Sequence, residues 1–195
     1  MPAFDDITKQ AYDRTVDNFN SDCTWYAAAA VNKAFGIYMN DLTKFPSLGN
    51  AGEWANNAHA AIDPTNKDHL KYQAFQPYIS SVDKIPQAGS VYALPVSAAA
   101  KFPDGHVMFV QNVTPAGNDA KGNPQWKLVV SEENAGGADT IRAMPGTNTT
   151  LSQPLMKEGV ERWTRTFIFD PANGNIDPSK GDYLSSGEFI HFKNP

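Results

Sequence analysis

The sequence predicts an α+β protein, with helices in its first third and an antiparallel sheet after them. An alanine-rich stretch over 23–35 has the length and the small side chains of a helix that packs closely on a sheet. From residue 88 onward, short apolar runs alternate with segments rich in glycine, asparagine and proline, as strands joined by turns do. Helices followed by strands, rather than alternating with them, favour α+β over α/β.

Three helices are expected before the sheet. Apolar residues recur at roughly helical spacing over 5–19, which predicts a short first helix. The second is expected over 23–35, with Gly36 at its C-terminal end, because glycine tolerates the left-handed conformation found there. The third is expected around 51–61, where an Asp-Pro pair follows. Residues 65–85 are polar and predict no element.

The strands are expected where apolar and β-branched residues cluster between turn signals. Residues 115–124, rich in glycine, asparagine and proline, are typical of a hairpin connection, whereas 135–159 is polar throughout and predicts no strand. The five predicted strands cover 89–94, 106–113, 127–132, 163–169 and 188–192.

Length and composition are those of one globular domain. The chain has 195 residues, of which 41% are hydrophobic and 19% charged, so it can bury a substantial core. No interdomain linker or repeat interrupts it, and we expect a single domain over 1–195, with a helical segment at about 5–61 and a sheet at about 88–195. The net charge of −5 argues against nucleic acid as the main partner, since phosphate contacts need a basic surface.

Targeting signals give little guidance. No run of 18 apolar residues occurs, so no membrane insertion is expected. The first residues lack the basic and apolar regions of a signal peptide. The protein is therefore expected to remain inside the cell, to leave by a route without such a signal, or to be shown here without its leader.

Cys23 is the only cysteine in the chain. It cannot form an intrachain disulfide, and one cysteine cannot build a zinc site alone. Two interpretations remain, a buried filler or a reactive nucleophile. Free cysteines are commonly buried, which favours the first. The position at the start of a helix favours the second, because free backbone N–H groups stabilise a thiolate there.

A nucleophilic thiol needs a base, and His106 is the best placed of the four histidines. It follows Gly105, which permits close backbone approach by a substrate or a neighbour, and it opens an apolar strand. His59 and His69 lie in polar sequence and are expected to be solvated. His191 lies within an apolar closing strand and is expected to be structural.

The strand after the hairpin offers a third group. Glu132 and Asn134 point to the same face of that strand, and its pairing with the strand of His106 would let either orient the imidazole. The alternative is a pair of ordinary surface side chains at a strand end, and the residues alone leave the two interpretations equal.

Six short segments resemble, in order, the motifs of CHAP domains, the cysteine, histidine-dependent amidohydrolases/peptidases. They cover about residues 20–134 and the final strand, and each is weak alone. The segments are Asp-Cys-Thr-Trp-Tyr-Ala at 22–27, Gly-Asn-Ala-Gly-Glu-Trp at 49–54, Pro-Gln-Ala-Gly-Ser-Val at 86–91, Gly-His-Val at 105–107, Ser-Glu-Glu-Asn at 131–134 and Glu-Phe-Ile-His at 188–191.

The resemblance implies a papain-like fold and hydrolysis of peptidoglycan amide bonds. It implies Cys23 as the nucleophile, His106 as the base, Glu132 as its orienting group and Asn134 as a support of the site. The residues expected to bind the substrate are Trp25, Trp54 and Gly105. The alternative for the two tryptophans is a place in the core, where tryptophans are found more often.

Departures from the family pattern qualify this picture. Asp22 replaces the usual glutamine before the cysteine, and a carboxylate there opposes thiolate formation unless it caps the helix or faces away. Some family members bind calcium through acidic residues around the cysteine, but that spacing is not reproduced here. We therefore expect no metal and no cofactor.

The expected partners are peptidoglycan peptides, together with an immunity protein if the enzyme is a delivered toxin. We expect it to act at the bacterial cell wall or in the periplasm, secreted or delivered. The alternatives are a papain-like cysteine peptidase or amidase with another substrate, and a catalytically silent wall-binding module.

Overall fold

The computed structural model describes residues 23–37, 48–96, 104–134, 148–154, 161–171 and 187–194. The helix expected over 5–19 and the position of Asp22 lie outside these residues. Within them, no helix is long and apolar enough to cross a membrane.

The first described helix, α1, spans Cys23–Phe35 and confirms the prediction for this stretch. It ends at Gly36, whose φ of 71° lies in the left-handed region and whose N–H donates to the Asn32 carbonyl at 2.7 Å. Tyr26 and Ala30 are fully buried on the face that contacts the sheet. The small alanines allow the helix axis to approach the sheet closely, which fixes the position of the helix's first residue.

Two shorter helices follow. A 3-10 turn at Ala51–Glu53 leads directly into α2, Trp54–Ile62, where the sequence predicted a helix around 51–61. The Glu53 carboxylate accepts the Asn50 backbone N–H at 2.9 Å and so fixes the start of this segment. Helix α3, His69–Tyr72, and a 3-10 turn at Gln73–Phe75 then lie in the stretch for which no element was predicted.

Seven strands among the described residues form one antiparallel sheet in the order β1-β7-β2-β3-β4-β6-β5. The five predicted strands are all present as β2, β3, β4, β6 and β7, and helices preceding an antiparallel sheet confirm the α+β class. The strands are β1, Ile79–Asp83; β2, Val91–Leu94; β3, His106–Asn118; β4, Pro124–Asn134; β5, Asn148–Pro154; β6, Glu161–Phe169; and β7, Glu188–Phe192.

Strands β1 and β5 occupy segments in which no strand was predicted. In β1 the register shifts between Ile79 and Ser81, so Ile79 and Val82 are both buried although they are three residues apart. The irregularity removes the period of two by which a strand is recognised in sequence. Strand β5 lies at the edge of the sheet and is mostly polar, so its sequence carries no apolar alternation.

The hairpin between β3 and β4 is longer than predicted. Pairing continues to Asn118 opposite Pro124, and only the turn between Asp119 and Asn123 remains of the connection expected at 115–124. Residues 112–118 of β3 are mostly exposed, and apart from Val113 they are polar, small or proline, so their sequence is typical of a connection although most of them pair with β4. A register shift near Pro115 accommodates a residue that cannot donate to the ladder.

The sheet is buried on both faces. One face packs against α1 and α2 through Val91, Val107 and Phe109. On the other face, Tyr92 stacks on Phe189 with ring centroids 4.5 Å apart, beside Met108 and Val110. Side chains alternate between the faces, so residues at the end of β3 and β4 are held by two packed layers. The ends of these strands carry the candidate site.

Candidate active site

His106 is the first residue of β3, where the sheet meets the segment that follows β2. It pairs with Leu94 across the ladder, and only 2% of its surface is exposed. A histidine so buried needs polar partners for both ring nitrogens, because an unpaired buried polar atom is costly. Its partners come from two other elements, β4 and α1.

Gly105 positions His106 through backbone contact. Its φ is +75°, a conformation that glycine adopts readily and other residues rarely do. A Cβ atom there would collide with Gly52 Cα and lie 2.6 Å from the Leu94 carbonyl oxygen. Gly52 in turn donates its N–H to the Asp104 carbonyl at 2.7 Å. The close approach that the sequence suggested at Gly105 is therefore with a neighbouring loop of the protein itself.

Glu132 provides the first partner of the imidazole. It lies on β4, it is fully buried, and its Oε2 accepts a hydrogen bond from His106 Nε2. The β3–β4 register places the two residues on the same sheet face, as the alternation of strand side chains requires. The interpretation of Glu132 as an ordinary surface carboxylate is therefore wrong.

Cys23 provides the second partner. It is the first residue of α1, it is half-buried, and its side chain hydrogen-bonds that of His106. Because Nε2 is engaged by Glu132, Nδ1 is the ring nitrogen left for the thiol. The three side chains thus form a continuous row from sulfur through imidazole to carboxylate, and Cys23 is the only partly exposed residue of the three.

The electrostatics favour a protonated imidazole. Burial lowers the pKa of His106, but the charges of Cys23 and Glu132 and their hydrogen bonds outweigh it and raise the pKa from 6.5 to about 10. At neutral pH the ring is then an imidazolium that donates from both nitrogens. An imidazolium and a helix N-terminus are both surroundings that stabilise a thiolate, the nucleophilic form of cysteine.

The chemistry that this row can perform is acyl transfer. A thiolate can attack a carbonyl carbon, and an adjacent imidazolium can give its proton to the leaving amine. The Glu132 carboxylate holds the ring in one orientation and stabilises its charge. No group of three histidine, cysteine, aspartate or glutamate residues able to hold a metal ion occurs among the described residues.

The other predicted site residues have different outcomes. Trp54 is fully buried and donates from Nε1 to the Gly49 carbonyl at 3.0 Å, so the prediction that it lines the groove is wrong. Trp25 lies on α1 two residues after Cys23 and is half-buried, which leaves its role a prediction. Asn134 ends β4, but its side chain lies outside the described part of the structure.

The remaining histidines are held by protein groups. His191 is buried, with Nδ1 2.7 Å from Ser90 Oγ and Nε2 3.0 Å from Asp83 Oδ1. His59 and His69, expected to be solvated, are only half-exposed or less. His69 Nδ1 lies 2.9 Å from the Ala60 carbonyl oxygen, which ties α3 to α2.

Sequence reasoning gave no role to the carboxylate of Glu188. This first residue of β7 lies with its Oε2 3.3 Å from His59 Nε2, 129 residues away in sequence. It was noted only as part of the closing strand, and nothing in the local pattern indicates a partner so distant along the chain.

Comparison with protein-family models gives one match, the CHAP domain, over residues 12–134. The chain belongs to the CHAP domain family. The match covers more than half of the chain and includes Cys23, His106 and Glu132. CHAP domains are papain-like, cysteine- and histidine-dependent amidohydrolases or peptidases, so the protein is a hydrolase of this type. No curated protein and no solved structure matches the chain.

Proposed function

We propose that this CHAP domain hydrolyses amide bonds of bacterial peptidoglycan, with Cys23 as nucleophile and His106 as acid and base. The observation that supports the proposal is the row of Cys23, His106 and Glu132, in which the histidine is enclosed and the cysteine is partly exposed. The family and the resemblance of the motifs support the substrate class. The proposed thiol chemistry requires neither a metal nor a cofactor.

In the first half of the reaction, the thiolate sulfur of Cys23 bonds to the amide carbonyl carbon, and the carbonyl electron pair moves to oxygen. The backbone N–H groups at the start of α1 are the donors best placed for that oxyanion. When the tetrahedral intermediate collapses, the C–N bond breaks and the His106 imidazolium protonates the leaving amine. A thioester of Cys23 and a neutral imidazole remain.

In the second half, water replaces the amine. Neutral His106 removes a proton from water as its oxygen attacks the thioester carbonyl. The C–S bond then breaks, a carboxylic acid product leaves, and the thiolate–imidazolium pair is restored. Glu132 accepts the Nε2–H bond throughout, which keeps Nδ1 directed to the sulfur and the attacking group.

The test is digestion of purified peptidoglycan, with mass spectrometry of the released fragments. Wild-type protein is expected to release fragments whose new termini identify the bond, either the amide that joins glycan to peptide or one within the peptide. Cys23→Ala should reduce release by at least about 10³-fold. Ala29→Ser, a small change on the same helix, should leave the rate unchanged.

Two results would overturn the proposal. Wall fragments left intact while protein substrates are cut would indicate a papain-like peptidase with another substrate. Full activity of a folded Cys23→Ala variant would exclude the thiol mechanism. The proposal also places the enzyme at the cell wall or in the periplasm, with an immunity protein as partner if it is a delivered toxin.

A further inference from the structure

A small cavity lies beside the catalytic histidine, between the N-terminal half of α2 and the ends of β2 and β7. Its volume is about 160 Å³. That is smaller than the pockets that enclose whole ligands, roughly 300 Å³ or more, and large enough for the end of one side chain. Four of the seven described lining residues carry apolar side chains. Those apolar residues are Ala55, Ala93, Leu94 and Pro95.

The cavity adjoins the active site through two of its lining residues. Leu94 pairs directly with His106 in the β2–β3 ladder. Gly52 contacts Gly105, the residue before the catalytic histidine. The cavity therefore lies next to the backbone that holds the catalytic histidine.

Two polar side chains distinguish the cavity from a packing defect. Glu188 lines it with a side chain that is 28% exposed, and Asn56 lines it from an exposed position on α2. Glu188 Oε2 faces His59, whereas its Oε1 makes no hydrogen bond with any other described residue. No lysine or arginine is among the described residues that line the cavity, and the basic group recorded near the carboxylate is His59, 3.3 Å away.

We propose that this cavity is a subsite for an ammonium group of the substrate, with Glu188 as the residue that determines the preference. A carboxylate that is partly desolvated in a cavity binds a cation more strongly than it does in water. The amide of Asn56 supplies a neutral acceptor at the mouth. The apolar wall accommodates the methylene groups that carry a side-chain amine. This inference rests on the proposed function, because it names a feature of the wall peptide, the free amine of a diamino acid residue.

The first experiment measures binding without turnover. Cys23→Ala protein is titrated calorimetrically with the tetrapeptide L-Ala–γ-D-Glu–L-Lys–D-Ala and with its Nε-acetylated copy. The free amine is expected to bind at least about tenfold more tightly, the scale of one charge-assisted hydrogen bond. Equal binding of the two peptides, or no binding of either, would overturn the subsite.

The second experiment measures rates with substrates that differ only in charge. Muropeptides are compared before and after acetylation of their free amines. Wild type should show a kcat/KM ratio of at least about ten in favour of the free amine. Glu188→Gln should lose that preference, because only the free amine interacts with the carboxylate. Glu188→Asp, which keeps the charge, should retain part of it.

The control is Asp68→Asn, an equal change of net charge at an exposed residue that does not line the cavity. It should keep the full preference. If Glu188→Gln slows both substrates equally with an unchanged melting temperature, the subsite is wrong even though the enzyme is a wall hydrolase. If no muropeptide is cut but the binding preference holds, the subsite stands and the proposed function fails.

Discussion

Two buried histidines in this protein have chemically similar partners, but they differ in which partner is exposed to solvent. His106 lies between the Cys23 thiol and the Glu132 carboxylate, and His191 lies between the Ser90 hydroxyl and the Asp83 carboxylate. Each row therefore contains a potential nucleophile, an imidazole and an acid. Composition alone does not separate a catalytic row from a structural one.

The end of each row that faces solvent is what separates them. In the first row the Glu132 carboxylate is fully buried and Cys23 is partly exposed. In the second, Ser90 is 2% exposed, whereas 38% of the Asp83 side chain is exposed. Cys23 is thus the partly exposed end of the first row, whereas Ser90 is the buried end of the second. The second row joins β1 and β7 to the residue that precedes β2 and satisfies their buried polar groups.

Substituting the two histidines should separate the rows most strongly. His106→Gln is expected to lower kcat/KM on muropeptides by at least about 10³-fold, because the thiol loses its proton acceptor. His191→Gln should leave the rate within about threefold and lower the free energy of unfolding by about 1–3 kcal/mol, since Ser90 loses its partner. Initial rates and urea melts of both variants measure this. If folded His191→Gln protein lost as much kcat/KM as His106→Gln does, the second row would be catalytic.

The two carboxylates should show a smaller contrast. Glu132→Gln keeps the shape but removes the charge that stabilises the imidazolium, so kcat is expected to fall about 10- to 100-fold. Asp83→Asn is the matched change in the other row and should leave kcat within about threefold. Because Asp83 is partly exposed, its substitution should also cost less than about 1 kcal/mol of stability. Equal effects on kcat would contradict the assigned roles.

The smallest expected difference between the two rows is in the pH dependence of stability. One row should lose stability at alkaline pH and the other at acid pH. The folded state binds the His106 proton more tightly than the unfolded chain does, since the pKa rises from 6.5 to about 10. The stability that this proton contributes is complete below about pH 6.5 and is lost as the pH rises through about 10.

Asp83 behaves in the opposite way. Burial opposes its ionisation, but hydrogen bonds from the Ile85 backbone, His191 and Ser81 hold its pKa below 3.8. The stability it contributes is present above pH 3.8 and is lost as the pH falls through the lowered pKa. Thermal melts from acid to alkaline pH test both. In Glu132→Gln the alkaline loss should be complete at a lower pH, and in Asp83→Asn the acid loss should shrink.

The sequence was sufficient to predict features that depend on residues close together in the chain. Cys23 follows turn-like polar residues and opens an alanine-rich helix, and His106 opens an apolar strand after a glycine. The hairpin then makes Glu132 a neighbour of His106 by simple pairing. Each inference needs only periodicity and a short connection.

What failed depended on contacts between distant segments. The sequence predicted Trp54 to line the groove, but the residue is buried and its indole N–H donates to the Gly49 carbonyl. Strand β1 was missed because a register shift breaks its alternation. The surroundings of Glu188 depend on the pairing of β7 with β2. Pattern reasoning has no access to such pairings, because they are decided by packing.

The place of β7 in the sheet has a consequence for how the molecule assembles. Ser90 and His191, which join β2 to β7, are 101 residues apart, whereas His106 and Glu132 are separated by 26 residues within one hairpin. Closing the longer loop costs more chain entropy and is the slower event. The imidazole–carboxylate pair can thus form early and locally. The cavity wall that carries Glu188 forms only after β7 has paired with β2. Strand β1 joins the sheet only through β7.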